Sequence, residues 1–320
     1  VTLQPLCPNP LVTFAVLAYN SEQFIEKAVE GAFSQEYPNL EIVLSDDGSD
    51  DSTFPIMEST FHRFRNVRNV RLSRNASNIG LASHVNQIFR QASGSVVVLA
   101  AGDDVSLPTR VRDTISLLHA NPHVASVSFS DVVIDQDGTV LAAERSNLID
   151  TTMDLDALLS GGTRNSSGAS RAYRREVFDM FGPLNETCPT EDTTLMLRSL
   201  FLGTIITAKE PGILYRRHSQ SLTGGVRSRG ISLEEIHGQY HRDLARAKKL
   251  QLLDAEAVSA VEKWIDSNFR VRSILREVSL GGIERASTLF RLAFSPRFSF
   301  REKYSVFSAL AKSVQKRLSR

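Results

Sequence analysis

Asp103 and Asp104 close Gly94-Ser-Val-Val-Val-Leu-Ala-Ala-Gly102, an apolar run with no polar alternation. Such a run suits a central parallel strand covered by helices on both faces. Ligands of open α/β sheets sit beyond the carboxyl ends of the strands, which is where this spacing puts the two acids. Successive side chains there point in different directions. One carboxylate can therefore meet a divalent cation while its neighbour accepts from a ligand hydroxyl or a backbone N–H. An Asp-Asp turn with Pro108 opening the next helix would explain the pair with no ligand at all. Three further groups weigh against that reading. Asp46-Asp47-Gly48-Ser49 follows another apolar run. Glu191-Asp192 opens a helical pattern, where acids serve as caps and dipole partners or, in a cleft, as a general base. Tyr215-Arg216-Arg217-His218 closes an extended stretch with two cations and an imidazole.

These groups need a scaffold, and the periodicity supplies an α/β one. Residues 11–18 read as a first strand ending in Tyr19-Asn20-Ser21, where Asn20 or Ser21 is expected to cap a helix carrying Phe24, Ile25, Ala28 and Ala32. Residues 40–45 form a second strand, so the opening is a βαβ unit. A strand at 70–73 leads through Asn75 and Asn78-Ile79-Gly80 into an amphipathic helix with Leu81, Val85, Ile88 and Phe89. The acid-tipped strand is followed by a helix with Val111, Ile115 and Leu118, then by a long strand over 124–134. Asp137-Gly138 marks a hairpin. The sheet is thus expected to be mixed, parallel first and antiparallel later.

Beyond residue 150 a short helix at 155–159 precedes Gly161-Gly162-Thr163-Arg164-Asn165-Ser166-Ser167-Gly168. This reads as a mobile loop over the site or as a plain surface connection. Two strands are expected at 205–208 and 213–215. After Gly224-Gly225 the pattern is helical, over 233–253, 255–280, 283–294 and 304–318. The expected domains are residues 1–225 and a helical, basic extension over 226–320.

Composition narrows the function classes. The chain has 320 residues and a formal net charge of +1, but from Arg270 onward twelve Lys/Arg face three Glu, a net of +9 that leaves residues 1–269 at −8. Basic amphipathic helices favour an anionic membrane surface over nucleic acid. Packing on the acidic body, or a homo-oligomer contact through Leu289, Leu292 and Phe298, is the alternative. Two cysteines, Cys7 and Cys188, offer no disulfide or metal framework, so a reducing cytoplasm is expected. No apolar segment approaches the ~20 residues of a spanning helix, and Val1 opens no signal-peptide pattern. The expected location is the cytoplasm, with peripheral contact at the inner face of its membrane.

Six motifs together carry a family likeness. Ala18-Tyr19-Asn20, Asp46-Asp47-Gly48-Ser49, Asn78-Ile79-Gly80, Ala101-Gly102-Asp103-Asp104, Glu191-Asp192 and Tyr215-Arg216-Arg217-His218 stand in the order and rough spacing of glycosyltransferase family 2. The chain resembles these inverting nucleotide-sugar enzymes over about residues 11–225. The resemblance implies a GT-A fold, a Rossmann-like mixed sheet flanked by helices. It implies that Ala18, Tyr19, Asn20, Asp46, Asp47, Asn78 and Gly80 border the donor nucleotide, UDP or dTDP. Asp103, Asp104 and His218 would hold Mg²⁺ or Mn²⁺ and the ribose, with Asp104 favoured for the metal. Arg216 and Arg217 would assist the diphosphate. Asp192 would be the general base toward a saccharide or lipid-linked acceptor, and Glu191 would position the acceptor or the loop. Arg198, six residues on, lies off that face and reads as structural.

The chain departs from the commonest family pattern twice. Ala101 stands where many relatives have the first Asp of Asp-X-Asp-Asp, so the division of metal and ribose between Asp103 and Asp104 stays open. Val85 replaces an Arg, which leaves a phosphate or base contact absent or supplied by His84. These departures support a second reading, a non-catalytic nucleotide-sugar or glycan-binding protein on the same fold. A nucleotidyltransferase is disfavoured, because no glycine-rich basic loop opens the chain.

Overall fold

The computed structural model describes residues 3–64, 69–143, 149–161, 168–218, 231–280, 302–304 and 306–308. Four parallel strands, β1 (Val12–Ala18), β2 (Leu40–Asp46), β3 (Asn69–Arg74) and β4 (Val96–Ala101), lie in the order β3-β2-β1-β4. They are linked by α1 (Ile25–Phe33), α2 (Thr53–Phe64) and α3 (Leu81–Gln91). Next come β5 (Val105–Ser106), α4 (Arg110–Ala120), β6 (Val124–Ile134), β7 (Val140–Ala143), β8 (Thr151–Met153) and α5 (Leu155–Leu159). A 3₁₀ turn at Gly168–Ser170 leads into β9 (Ala172–Arg174), α6 (Glu176–Asp179), α7 (Asp192–Leu202) and β10 (Thr204–Arg216). The sheet continues from β4 as β9-β6-β10-β5, with β7 on β6 and β8 on β10. Strand β9 is antiparallel to both neighbours, whereas β6 and β10 are parallel to each other. The mixed sheet expected from the pattern is therefore present.

Alternation along the strands divides two cores. Val12, Phe14 and Val16 of β1 and Val96 and Val98 of β4 face α1, α2 and α4 through Ile25, Val29, Met57, Val111 and Ile115. Ala15, Val97 and Leu99 face the other way, toward Val85, Ile88 and Phe89 of α3 and Leu195 and Leu197 of α7. Both faces of β1 and β4 are buried, which explains runs in which Thr13 is the one polar residue. Phe14 is fully buried, so truncation to alanine would cost about 3–5 kcal/mol.

The two C-terminal helices, α8 (Leu233–Lys249) and α9 (Ala255–Leu280), join the second of these cores through Ile236, Tyr240, Leu244, Val261 and Ile265. Arg198 of α7 pairs with Asp243 of α8 through Nε and Nη2, at 3.0 and 2.9 Å, and donates through Nη1 to Gly182 O. Both side chains are buried, which makes Arg198 structural as its helix position suggested. Breaking such a pair from one side costs about 3–5 kcal/mol, because the remaining charge is left buried. Cys7 is exposed and Cys188 buried, both as free thiols.

Three local expectations are corrected. Neither Asn20 nor Ser21 caps α1 by its side chain: the Ser21 carbonyl accepts from Phe24 N and Ile25 N, and Phe24 is the N-cap. The two strands expected at 205–208 and 213–215 are one strand, β10, paired with β6 through register shifts around Ala208, Pro211 and Ile213. Proline has no N–H to give a ladder, so Pro211 sits at the irregularity. The helix expected to reach residue 253 stops at Lys249. The glycine-rich loop over 162–167 and, within the basic extension, residues 226–230, 281–301, 305 and 309–320, including the helix expected at 283–294, lie outside the described residues. Of that extension, 302–304 and 306–308 are helical; Arg270 of α9 meets the buried Glu302 at 2.7 Å.

Candidate active site

The tips of β1, β2 and β4 lie side by side, Ala18 opposite Asp46 and Leu17 opposite Ala101. Beyond β4, Gly102 donates its N–H to Leu17 O at 2.8 Å, and a Cβ there would come within 3.1 Å of Ala18 Cα. The absence of a side chain lets the acid-bearing turn close against β1. Pairing of β5 with β10, Val105 opposite Leu214, then brings the end of β10 beside the turn. Arg216 N–H donates to Asp104 Oδ1 at 2.8 Å, and His218 Nε2 lies 2.9 Å from Asp103 Oδ2.

The two aspartates face differently. Asp103 has a side chain 26 % exposed, whereas Asp104 is 6 % exposed. Burial holds the Asp104 carboxyl well above the usual carboxylate range, the charge of Asp103 adds to the rise, and the Arg216 N–H opposes it. The outward acid of the pair is thus Asp103, not Asp104. Arg216 departs from the diphosphate role implied by the resemblance: its Nε donates to Asp103 O, and its Nη1 donates to Asp135 O and Gln136 O, each at 2.9 Å. It is buried, with its guanidinium carbon 4.8 Å from the Phe24 ring centre, and it holds the turn rather than facing solvent. Arg217 is exposed.

The acids of the β2 turn are buried and shape loops. Asp46 accepts from Ser49 N and Ser49 Oγ and pairs with Arg74 Nε at 3.3 Å. Asp47 accepts from Asn75 Nδ2 at 2.8 Å, Ile79 N at 3.1 Å and Gly80 N at 3.2 Å. Asn78 Oδ1 also accepts from Gly80 N. Gly48 has φ +68°, and a Cβ would lie 2.5 Å from the Ser77 carbonyl carbon, so the two loops touch. Asn20, at φ +49°, donates its N–H to Ser49 Oγ and accepts from Asp50 N. Tyr19 is left 40 % exposed at the rim. His84 is buried with Nε2 2.7 Å from Ser45 Oγ, and burial pulls its pKa down. That position removes it as a phosphate contact, and Val85 is core.

Glu191 and Asp192 stand at the start of α7, where Asp192 Oδ1 accepts from Thr193 N at 2.7 Å. A Cβ on Gly168 would lie 2.5 Å from Asp192 Cβ and 2.9 Å from its Oδ2, so the end of the glycine-rich loop rests on this carboxylate. Glu191 is pushed up to about 7 by burial and by Asp192, with Arg171 opposing. Two arginines that sequence reasoning missed connect the acid groups. Arg171 Nη1 donates to Asp192 O at 2.6 Å. Arg110 Nη2 donates to Ala169 O and Leu99 O, and its Nη1 to Ser106 Oγ. Burial pulls Arg110 down to about 10 while Asp104 and Asp131 oppose the fall. Residues 168–171 and Arg110 thus brace both the β4–β5 turn and the start of α7. A cation at the first turn of an apolar helix was the only signal of Arg110 in the sequence.

A mixed sheet of this order, with acids gathered at the strand tips and a histidine returned to them by the last strand, defines the GT-A type of α/β transferase fold. The chain belongs to Glycosyl transferase family 2, whose model matches residues 13–181. Staphylococcus aureus TarS 1–349, solved in complex with UDP-GlcNAc, superposes with a TM-score of 0.61 at 17 % identity, covering 95 % of this chain and 81 % of that one. Mannosyltransferase PcManGT from Pyrobaculum calidifontis, in complex with GDP-Man and Mn²⁺, gives 0.57 at 18 % identity, covering 98 % and 83 %. Among curated relatives, the Escherichia coli UDP-Glc:alpha-D-GlcNAc-diphosphoundecaprenol beta-1,3-glucosyltransferase WfaP is 28 % identical over 127 residues, 40 % of this chain and 48 % of WfaP. The chain spans between 19 % and 66 % of the length of the first curated relatives it matches. Among the described residues no helix is long and apolar enough to cross a membrane.

Proposed function

We propose that this chain is a metal-dependent inverting glycosyltransferase that moves a sugar from a UDP- or dTDP-sugar to a saccharide or lipid-linked oligosaccharide. The observation that carries the reading is the outward Asp103 carboxylate, paired with His218 at the tips of β4 and β10 and backed by the buried Asp104. Carboxylate oxygens with one imidazole suit Mg²⁺ or Mn²⁺, and a divalent charge would relieve the crowding of Asp103 against Asp104. Asp103 and His218 are the residues to hold it, with Asp104 behind. The chemistry such an ion supplies is neutralisation of the departing nucleoside diphosphate. The exposed ring of Tyr19 offers a face to the base, Asn20 and the Asp47-braced loop border the nucleotide, and Arg217 offers a cation to the phosphates.

Asp192 is the general base. It takes the acceptor O–H proton as the new C–O bond forms and the anomeric C–O bond to the diphosphate breaks, in one displacement that inverts configuration. A carboxylate there also offsets the oxocarbenium charge of the transition state. The Thr193 N–H and Gly168 hold that carboxylate in place, and Glu191 would position the acceptor or the loop. Ala101, in place of an acid, and Val85, in place of an arginine, are the residues that favour a non-catalytic binder. Calorimetric titration with UDP separates the assignments: Mn²⁺ should strengthen UDP binding by the wild type and not by Asp103→Asn. Equal Mn²⁺ dependence in the two proteins would reject the metal assignment.

The basic extension fits an anionic membrane where lipid-linked acceptors reside. Salt-sensitive binding to anionic vesicles should vanish on truncation after Leu280. Unchanged vesicle binding would give the extension a packing role, as the Arg270–Glu302 pair already does for part of it.

A further inference from the structure

A second set of metal-type donors lies off the sheet, on the C-terminal helices. His237 and His241 are one turn apart on α8 and share a face, and Asp266 meets them from α9. His237 Nε2 lies 3.0 Å from Asp266 Oδ1, His241 Nε2 lies 3.3 Å from the same oxygen, and the two Nε2 atoms are 3.2 Å apart. Protons serve this triangle poorly. An imidazole nitrogen either donates or accepts. If both Nε2 atoms carry hydrogens, both can donate to Asp266 Oδ1, at 3.0 and 3.3 Å, but the two N–H groups then crowd each other at 3.2 Å. If one is bare, its lone pair meets the carboxylate oxygen at 3.0 or 3.3 Å. A cation among the three atoms uses all three lone pairs together.

The dimensions agree with that alternative. Ligand atoms about 2.0–2.1 Å from a tetrahedral metal stand about 3.3–3.4 Å from one another, and about 2.9–3.0 Å apart when the metal is octahedral. The three edges fall within that combined span, so little side-chain movement is needed to close on an ion. The donor chemistry selects its class, since imidazole favours Zn²⁺, Co²⁺ or Ni²⁺ over the hard Mg²⁺ and Ca²⁺. Two histidines at i and i+4 on one helix are a recurrent zinc-binding arrangement. The side chains are 28 %, 35 % and 46 % exposed for His237, His241 and Asp266, so an ion enters from solvent and water completes its coordination. The Phe269 ring, 4.6 Å from that of His237, limits the rotation of this ligand.

We infer that His237, His241 and Asp266 form a site for a divalent transition metal, Zn²⁺ foremost, that is separate from the donor site and fastens α8 to α9. The location gives the staple a consequence. Tyr240, one turn from His237, lies in the same buried cluster as Leu195 and Leu197 of α7, the helix that Asp192 opens. The metal therefore stiffens the helix that backs the start of α7.

The test uses the untagged full chain, stripped with chelator and titrated calorimetrically with Zn²⁺ in the absence of nucleotide. Binding should persist in Asp103→Asn and weaken by about a hundredfold or more in His241→Gln and in Asp266→Asn. Thermal unfolding should rise with Zn²⁺ in the wild type and in Asp103→Asn but not in the other two variants, whose far-UV spectra report their folding. Co²⁺ should give a ligand-field absorption that His241→Gln abolishes. Zn²⁺ affinity unchanged in His241→Gln, or no Zn²⁺ taken up by the wild type, would overturn the inference. Neither result bears on the nucleotide-sugar reading, because no step of the test involves donor or transfer.

Discussion

Replacing Arg216 with alanine separates a brace from a ligand. Its guanidinium makes three hydrogen bonds to backbone carbonyls, Asp103 O, Asp135 O and Gln136 O, and lies over Phe24. Hydrogen bonds from a charged donor contribute roughly 1.5–3 kcal/mol each, and a carbonyl left buried without its donor costs about 1–3 kcal/mol. Water entering the space vacated by the side chain offsets part of that, so the net loss is put at about 3 kcal/mol rather than the sum. With a urea m-value near 3 kcal/mol per M, the unfolding midpoint falls by about 1 M. The assay is urea unfolding followed by far-UV circular dichroism, run beside Arg217→Ala, which is exposed and should lose much less than Arg216→Ala. An unchanged midpoint in Arg216→Ala together with weakened UDP binding would refute the reasoning and return Arg216 to the diphosphate.

Two further outcomes follow from the acid pair on α7. Gly168→Ala should lower kcat by about a hundredfold with donor affinity kept, since its Cβ would displace Asp192; Gly238→Ala, on α8 with open space around the added atom, should leave kcat alone, and steady-state kinetics of both variants check this. Glu191→Gln should stabilise the protein at pH 8 relative to pH 5. The folded Glu191 pKa, about 7, is above the unfolded value of 4.5, so the folded state holds more protons between these values and wild-type stability falls as pH rises through that window. The difference in Tm between variant and wild type, measured at the two pH values, should grow toward pH 8; an equal difference at both would show that Glu191 is not buried against Asp192.

Strands β1, β2 and β4 were legible because burial on both faces leaves a largely apolar run, β6 because its residues alternate over a strand's length, and the acid-bearing turn because it ends such a run. The convergence of Asp103 with His218 was suggested by the family motifs alone, since it depends on β5 and β10 pairing across more than a hundred residues. What the local pattern misjudged was direction. Asp46 and Asp47 are acids in a polar turn, and nothing in the spacing tells that the N–H groups of Ser49, Ile79 and Gly80 would draw their carboxylates inward. Arg110 and Arg171 escaped notice for the same reason, as their partners are carbonyls distant in the chain. The residues between 208 and 213 were read as separating two strands, but the eleven-residue β6 offers enough partner for β10 to continue past Pro211-Gly212. The His237–His241–Asp266 cluster was equally hidden, since the spacing of two histidines says nothing of which helix faces them.

The most direct test of the account is single-turnover consumption of a UDP-sugar with diphosphate-lipid saccharide acceptors, comparing the wild type with Asp192→Asn. Loss of a general base should slow transfer by about 10²–10⁴-fold while Mn²⁺-dependent UDP binding is unchanged. Transfer by Asp192→Asn at the wild-type rate would contradict the assignment of the α7 carboxylate as the group that receives the acceptor proton.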